Sequence, residues 1–365
     1  MVRALTCLVL LAAVVQSSVP ATQSQSALTV LSGWGPPGVV VDEFLPTKLT
    51  VAEGTTVTWL QDTLREHTVT FLAGAPVPPQ NIAQPEDSSL PQMRNPRAEY
   101  PTLPIGAWDG SSFMNSGRMQ AGETFAVTFS KAGTYPFVCI PHVDMIGTVT
   151  VVPPGSAGIT TQAMVDEQIG QEVAVFERQL QEMLDTRSPS ARVLNPDGTS
   201  MWFVRNGTEQ RFEEDLTRGR LTVRQYLPNR LTIQSGDTVV WYTDTRVTVH
   251  TVTFPVQNQP PPAGRSARNA DGSLVPLEML TPSGAYRGDA DSLDWPRLIE
   301  NPEIARPARP SAVYDPTRYF NSGPMGDNPI GRAWALTFDT PGTFSYFCIP
   351  HVNLGQIAEV TVVAR

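Results

Sequence analysis

The chain has 365 residues, 41% of them apolar and 17% charged, the balance of an ordinary globular protein and more than one small sandwich needs. Its net charge of −9 argues against a nucleic-acid partner. Its 34 prolines and 27 glycines point to many turns and long irregular loops. At the start, Arg3, the apolar run Ala4 to Val15 and the small residues from Gln16 to Ala21 have the layout of an export signal. Residues 1–26 are therefore expected to be removed, and the protein to be exported to a periplasm or the extracellular medium. The apolar run is short for a bilayer, and no later stretch is apolar enough to span one, so no integral membrane segment is expected.

From there the chain reads as one design written twice. Val41 to Trp59 and Val223 to Trp241 share alternating apolar residues around Gly54 and Gly236, the pattern of two antiparallel strands and a hairpin. His67-Thr68-Val69-Thr70-Phe71 returns as His250-Thr251-Val252-Thr253-Phe254. Asn115-Ser116-Gly117 returns as Asn321-Ser322-Gly323, and the strand-like runs Thr124 to Phe129 and Thr148 to Val152 return as Ala333 to Phe338 and Glu359 to Val363. Pro-rich inserts, residues 72–112 and 255–316, separate each first histidine from its cysteine; Pro78-Pro79 and Pro260-Pro261-Pro262 cannot be interior strand, so ordered excursions over the sandwich surface are expected, with irregular packing filler favoured over a lid or partner-docking surface. Between the copies, residues 159–184 contain no proline and place Met164, Ile169, Val173, Phe176, Leu180, Met183 and Leu184 near helical spacing. That predicts a helix of six or seven turns with one apolar face, packed between domains. Asn206-Gly207-Thr208 matches a glycosylation sequon, a triplet that often arises by chance.

The chemistry-bearing residues all fall inside the repeats. The chain has four histidines and three cysteines. Loss of Cys7 with the signal leaves Cys139 and Cys348, each with a histidine three residues on, His142 and His351. A Cys139–Cys348 disulfide is the alternative, disfavoured because each cysteine has its own histidine. Cys139, His142 and Met145 can point at one ion from one tight loop, with His67 supplied from upstream. Two imidazoles, a thiolate and a weak axial thioether are the ligand set of a blue-copper electron-transfer site.

Both units resemble the cupredoxins, the type 1 copper family that includes plastocyanin, amicyanin, azurin and stellacyanin. The resemblance implies an all-β protein: two Greek-key β-sandwich domains, residues 27–153 and 193–365, joined by an α-helical linker, 154–192. It implies two type 1 copper sites. His67, Cys139, His142 and Met145 match the four ligand positions of the first, with the short amicyanin-like spacing. In the second, His250, Cys348 and His351 match the three strong ligands, but residue 354 is leucine. Cys348 to Thr361 spans two positions more than Cys139 to Thr150. Placing that insertion after His351 pairs Met145 with Gln356, a plastocyanin-like spacing with the axial glutamine of stellacyanin. Gln356 is favoured over Leu354 or an empty axial position. Thr68 and Thr251 sit where the family often bonds the cysteine loop, with a plain strand role as the alternative; Asn115 and Asn321 could brace the site, with a turn role favoured.

The function implied is one-electron transfer to and from a redox protein, whether cytochrome, reductase or oxidase. A thioether favours Cu(I) more than an amide oxygen does, so the Met145 site should have the higher potential. Electrons would pass from the second site to the first. Copper enzymes of the multicopper-oxidase or nitrite-reductase kind need imidazoles beyond the four already used, so no enzyme is expected. Copper storage or delivery is the other alternative; its exposed Met, His or Cys clusters are missing from the sequence.

Overall fold

The structure is a computed structural model that describes residues 27–83, 93–103, 106–211, 220–245, 248–256, 265–268, 274–275, 297–300, 307–326 and 333–365. The expected export signal lies outside them. The fold is all-β, a sandwich architecture with one long helix.

Each repeat closes its own sandwich. In the first half, the Ala27–Trp34, Val39–Leu45, Thr56–Leu60 and Thr124–Thr128 strands form one layer. Facing it are Lys48–Ala52, His142–Val152, Gly133–Cys139, Thr70–Phe71 and Met114–Asn115. Period-two alternation puts Val57 and Trp59, then Phe125 and Val127, into the space between. Trp59 packs edge-on against Phe71 and Phe137. In the second half Trp241 does the same against Phe254 and Tyr346.

What the repeats alone do not disclose is that the two halves share a sheet. The Val39–Leu45 strand pairs antiparallel with Arg220–Leu227, making one nine-stranded sheet. The pairs are Val41 with Leu221, Val40 with Thr222 and Val39 with Val223. Val40 and Thr222 hold the same place in the repeat, so a local two-fold axis passes between them and the halves meet as the copies of an isologous dimer would.

The linking helix spans Gln162–Arg187, its first turn capped by the Thr161 hydroxyl. Phe176 and Met183 pack on Val39, Val41, Leu45, Leu221, Val223 and Leu227, so the apolar face covers the seam as expected. Met164, expected on that face, is 52% exposed.

The described parts of the inserts are ordered, and they pair with each other. Asn81–Ile82 and Met93–Arg94 from the first join Arg265–Arg268, Leu274–Val275 and Arg297–Glu300 from the second in a separate five-stranded sheet, with Ile299 opposite Met93. Short edge segments between prolines can pair where long strands cannot.

Candidate metal centres

Two side-chain trios converge in the described residues: His67, Cys139 and His142, and His250, Cys348 and His351, each with its ligand atoms within 4.8 Å of one another. In the first, His67 Nδ1 and His142 Nδ1 are 3.0 Å apart, and Cys139 Sγ lies 3.7 and 3.3 Å from them. In the second, Cys348 Sγ lies 4.0 Å from His250 Nδ1 and 3.3 Å from His351 Nδ1. Metal–nitrogen bonds of about 2.0 Å and metal–sulfur bonds of about 2.3 Å bring donors into this spacing around one ion.

Local structure explains the convergence. Cys139 ends the Gly133–Cys139 strand, and a two-residue turn returns the chain to His142 at the head of the next. His67 is held by a backbone bridge to Met119, and His250 by one to Met325. In the second loop, two residues longer, the chain forms a 3-10 helix, Ile349–Leu354, ended by Gly355 in the left-handed region.

The two axial candidates lie in different settings. Met145 is 1% exposed and belongs to the same core cluster as Cys139. Gln356 is fully buried, and its Oε1 sits 2.9 Å from His250 Nδ1 and 3.1 Å from His351 Nδ1. The amide oxygen thus points into the trio. Leu354 has no donor atom, and its side chain is 9% exposed.

Around each thiol the same hydrogen-bond frame recurs. The Thr68 amide donates to Cys139 Sγ at 3.4 Å, and the Thr68 hydroxyl accepts from the Ile140 amide at 2.8 Å. Thr251 does the same for Cys348 and Ile349, at 3.3 and 2.8 Å. Thr70 donates to Thr68 and to Asn115 Oδ1, and Thr253 donates to Asn321 Oδ1, so these asparagines brace the site, contrary to the turn role expected. Asn321 also accepts from the Gly323 amide, which is a turn contact.

Two glycines were invisible as site residues. Gly33 and Gly207 sit at register shifts in their strands with φ of +83° and +77°. A Cβ on Gly33 would stand 2.6 Å from His67 Nε2, and one on Gly207 would stand 2.9 Å from His250 Nε2. Each bulge therefore leaves the space its imidazole fills. Gly207 lies within the sequon, and Asn206 is fully buried with its amide donating to Met325 Sδ, so the triplet is a packing element and no surface acceptor.

A buried charge cluster was also unforeseen. Asp42 Oδ1 lies 3.3 Å from Arg65 Nε, 3.7 Å from His142 Nδ1 and 3.9 Å from His67 Nε2, and Arg65 contacts the His142 ring. Burial works against the Asp42 charge, yet His142, Arg65, His67 and Arg224 hold its carboxyl well below the usual range. Burial, with Arg65 beside it, brings Arg224 down to about 9.

Burial holds His67 and His250 down at about 3 and takes His142 and His351 well below their usual value. It pushes Cys139 and Cys348 up to about 12. At neutral pH the donors are thus neutral imidazoles and thiols, of which the thiol loses its proton when a metal binds. Both sulfurs are free, so no disulfide competes. Soft sulfur, imidazole nitrogen and a weak fourth donor in a dry pocket fit copper.

Comparison with known proteins agrees on the first half. Residues 42–152 match the copper binding proteins of the plastocyanin/azurin family. Plastocyanin of Solanum tuberosum is 58% identical over 33 residues, 8% of this chain and 33% of that protein, so the match spans a third of its length. Among solved structures, a reduced Cu(I) proline-to-glycine variant of amicyanin is 23% identical, covering 36% of this chain and 88% of its own, with a TM-score of 0.23. A Cu(I) methionine-to-glutamine variant of amicyanin is 21% identical over the same shares, also at 0.23.

Proposed function

We propose that the chain is an exported electron carrier with two type 1 copper sites, taking single electrons from one redox protein and giving them to another. The observation that carries this is the duplicated trio: two buried His/Cys/His sets, each with its own threonine-braced thiol. Bound copper would supply the Cu(I)/Cu(II) couple. His67, Cys139 and His142 would hold the first ion with Met145 as weak fourth donor, and His250, Cys348 and His351 the second with Gln356. The hydrogen-bond frame keeps each donor set in one geometry for both oxidation states, which keeps rearrangement on electron transfer small.

The sites are neighbours across the seam. Burial is the main cause of the depressed pKa of all four histidines, and the Arg224 charge contributes to every one. Exchange between the two sites therefore belongs to the proposal. No helix among the described residues is long and apolar enough to cross a membrane. An oxidase or nitrite-reductase role would need imidazoles beyond the four the sequence holds.

The test is metal stoichiometry with a spectroscopic redox titration of the copper-loaded chain. Two coppers, a thiolate-to-copper absorption band and two potentials are expected. One copper would reduce the second half to a structural copy, and a colourless protein would refute electron transfer.

A further inference from the structure

Besides the axial pair, the repeat that doubles the metal site breaks at a buried charged position. Val41-Asp42-Glu43-Phe44-Leu45 in the first copy stands where Val223-Arg224-Gln225-Tyr226-Leu227 stands in the second. Asp42 and Arg224 are 7% and 1% exposed, on the two strands that meet at the local two-fold axis. At this position an acid, ion-paired with Arg65, faces the first site where a base stands on the matching strand beside the second.

Both residues lie on strands that pack against a candidate site. Asp42 reaches His67 and His142 directly, at 3.9 and 3.7 Å. The strand carrying Arg224 presses on the second site in the same way. The Val41 carbonyl and His67 Nε2 both crowd the missing side chain of Gly33, and the Val223 carbonyl and His250 Nε2 crowd that of Gly207. Two residues past Arg224, the Tyr226 hydroxyl donates to the Thr251 carbonyl at 2.5 Å. Neither charge has the marks of a packing device. Nε and Nη1 of Arg224 and Oδ1 of Asp42 have no hydrogen-bond partner among the described residues. A buried ion cluster with such gaps is usually no more stable than apolar residues of the same volume.

We propose that Asp42 and Arg224 set the potentials of the two copper sites in opposite senses, the carboxylate lowering the first and the guanidinium raising the second. This rests on the two-site function proposed above. Reduction of a site adds one electron from the donor protein, makes and breaks no bond and removes one unit of positive charge. A fixed negative charge beside the site disfavours that change, and a fixed positive charge favours it. The effect opposes the axial pair, where Met145 favours the first site for the electron and Gln356 disfavours the second. The charges therefore narrow the potential separation and make exchange across the seam more nearly reversible.

The test compares D42N, R224Q and the double variant with the natural chain, all copper-loaded, by site-resolved redox titration. Metal-free unfolding serves as the control for folding. D42N should raise the first potential most and R224Q should lower the second most. Each should widen the separation, by an amount that shifts the electron distribution between sites on the order of tenfold. R224K should restore the natural separation. The double variant removes one buried charge of each sign, so it serves if a single variant does not fold, and its separation should widen most. Folded, two-copper variants with an unmoved separation would overturn this inference alone. A natural chain that binds fewer than two coppers would overturn it together with the proposed function.

Discussion

Replacing Gly33 with alanine should disable the first metal site while the second persists. Gly33 has φ of +83°, a region that costs a residue with a Cβ about 1–2 kcal/mol. The added carbon would stand 2.6 Å from His67 Nε2, where ordinary contact begins at 3.4 Å, so the ring must retreat by roughly 0.8 Å. It has little room to do so: His67 is fully buried, and its backbone is bridged to Met119. Donor sets hold their function only within about 0.5 Å. Strain and overpacking together should cost about 2–4 kcal/mol. The assay is denaturant unfolding of the chelated protein, paired with copper titration followed by the thiolate-to-copper band. Half the colour should vanish. Gly207→Ala is the comparison, since its Cβ would approach His250 Nε2 to 2.9 Å and displace it less. A Gly33→Ala protein with natural stability and full colour would refute the claim that the bulge exists to seat the imidazole.

Three further outcomes are expected. Gln356→Met should raise the second potential, because a thioether favours Cu(I) more than the amide oxygen now 2.9 Å from His250 Nδ1; an unmoved potential would remove Gln356 from the ligand set. Thr68→Val should cost about 1–3 kcal/mol in urea unfolding, since it strands the buried Ile140 amide, and the visible band of the first site should shift; a loss below 0.5 kcal/mol would contradict the bracing role. The chelated protein should lose stability as pH falls. Its histidines stay neutral when folded, with His67 and His250 at about 3, while the unfolded chain takes up protons near 6.5. That stability is present above about 6.5 and drains away toward 3. His67 and His250 alone should cost about 3 kcal/mol between pH 7.5 and 5.5, and a flat profile across that window would contradict their burial as neutral rings.

The donor residues were legible because chemistry restricts them to few residue types at fixed spacing. Four histidines and two later cysteines leave little freedom once the repeat is seen. Gln356 was singled out only by comparing the lengths of the two loops; its buried Oε1 lies 2.9 Å from His250 Nδ1 and 3.1 Å from His351 Nδ1. Strand alternation likewise located the sandwich layers, and helical spacing without proline located the long helix. The seam was not legible, because Val39 to Leu45 and Arg220 to Leu227 read as ordinary core strands; nothing local says that each also pairs beyond its own unit. Gly33 and Gly207 were missed for a related reason. Their role depends on a ring more than thirty residues away, and a glycine in a strand signals a bulge without naming what fills it. The paired inserts show the limit of proline as a guide, since it is kept out of interior strands but does not prevent short strands between prolines from pairing.

Two copies of one site joined about a two-fold axis have no direction. Equal donors in equal surroundings give equal potentials, and an electron on one site gains nothing by moving to the other. The frame here is close to that limit: the threonine braces, the bulge glycines and the central tryptophans recur in both halves. Direction must come from the places where the copies differ next to the donors. Met145 against Gln356 is one, and Asp42 against Arg224 is the other. On the proposed function they would push the potentials in opposite senses, so neither difference alone would fix which site accepts. An axial exchange would act on one site only, whereas the buried charges would act on both, because the Arg224 charge is felt by histidines of each. A change at the seam therefore shifts the pair together as well as apart, which makes the symmetry axis the place where the bias of the relay can be reset without touching a ligand.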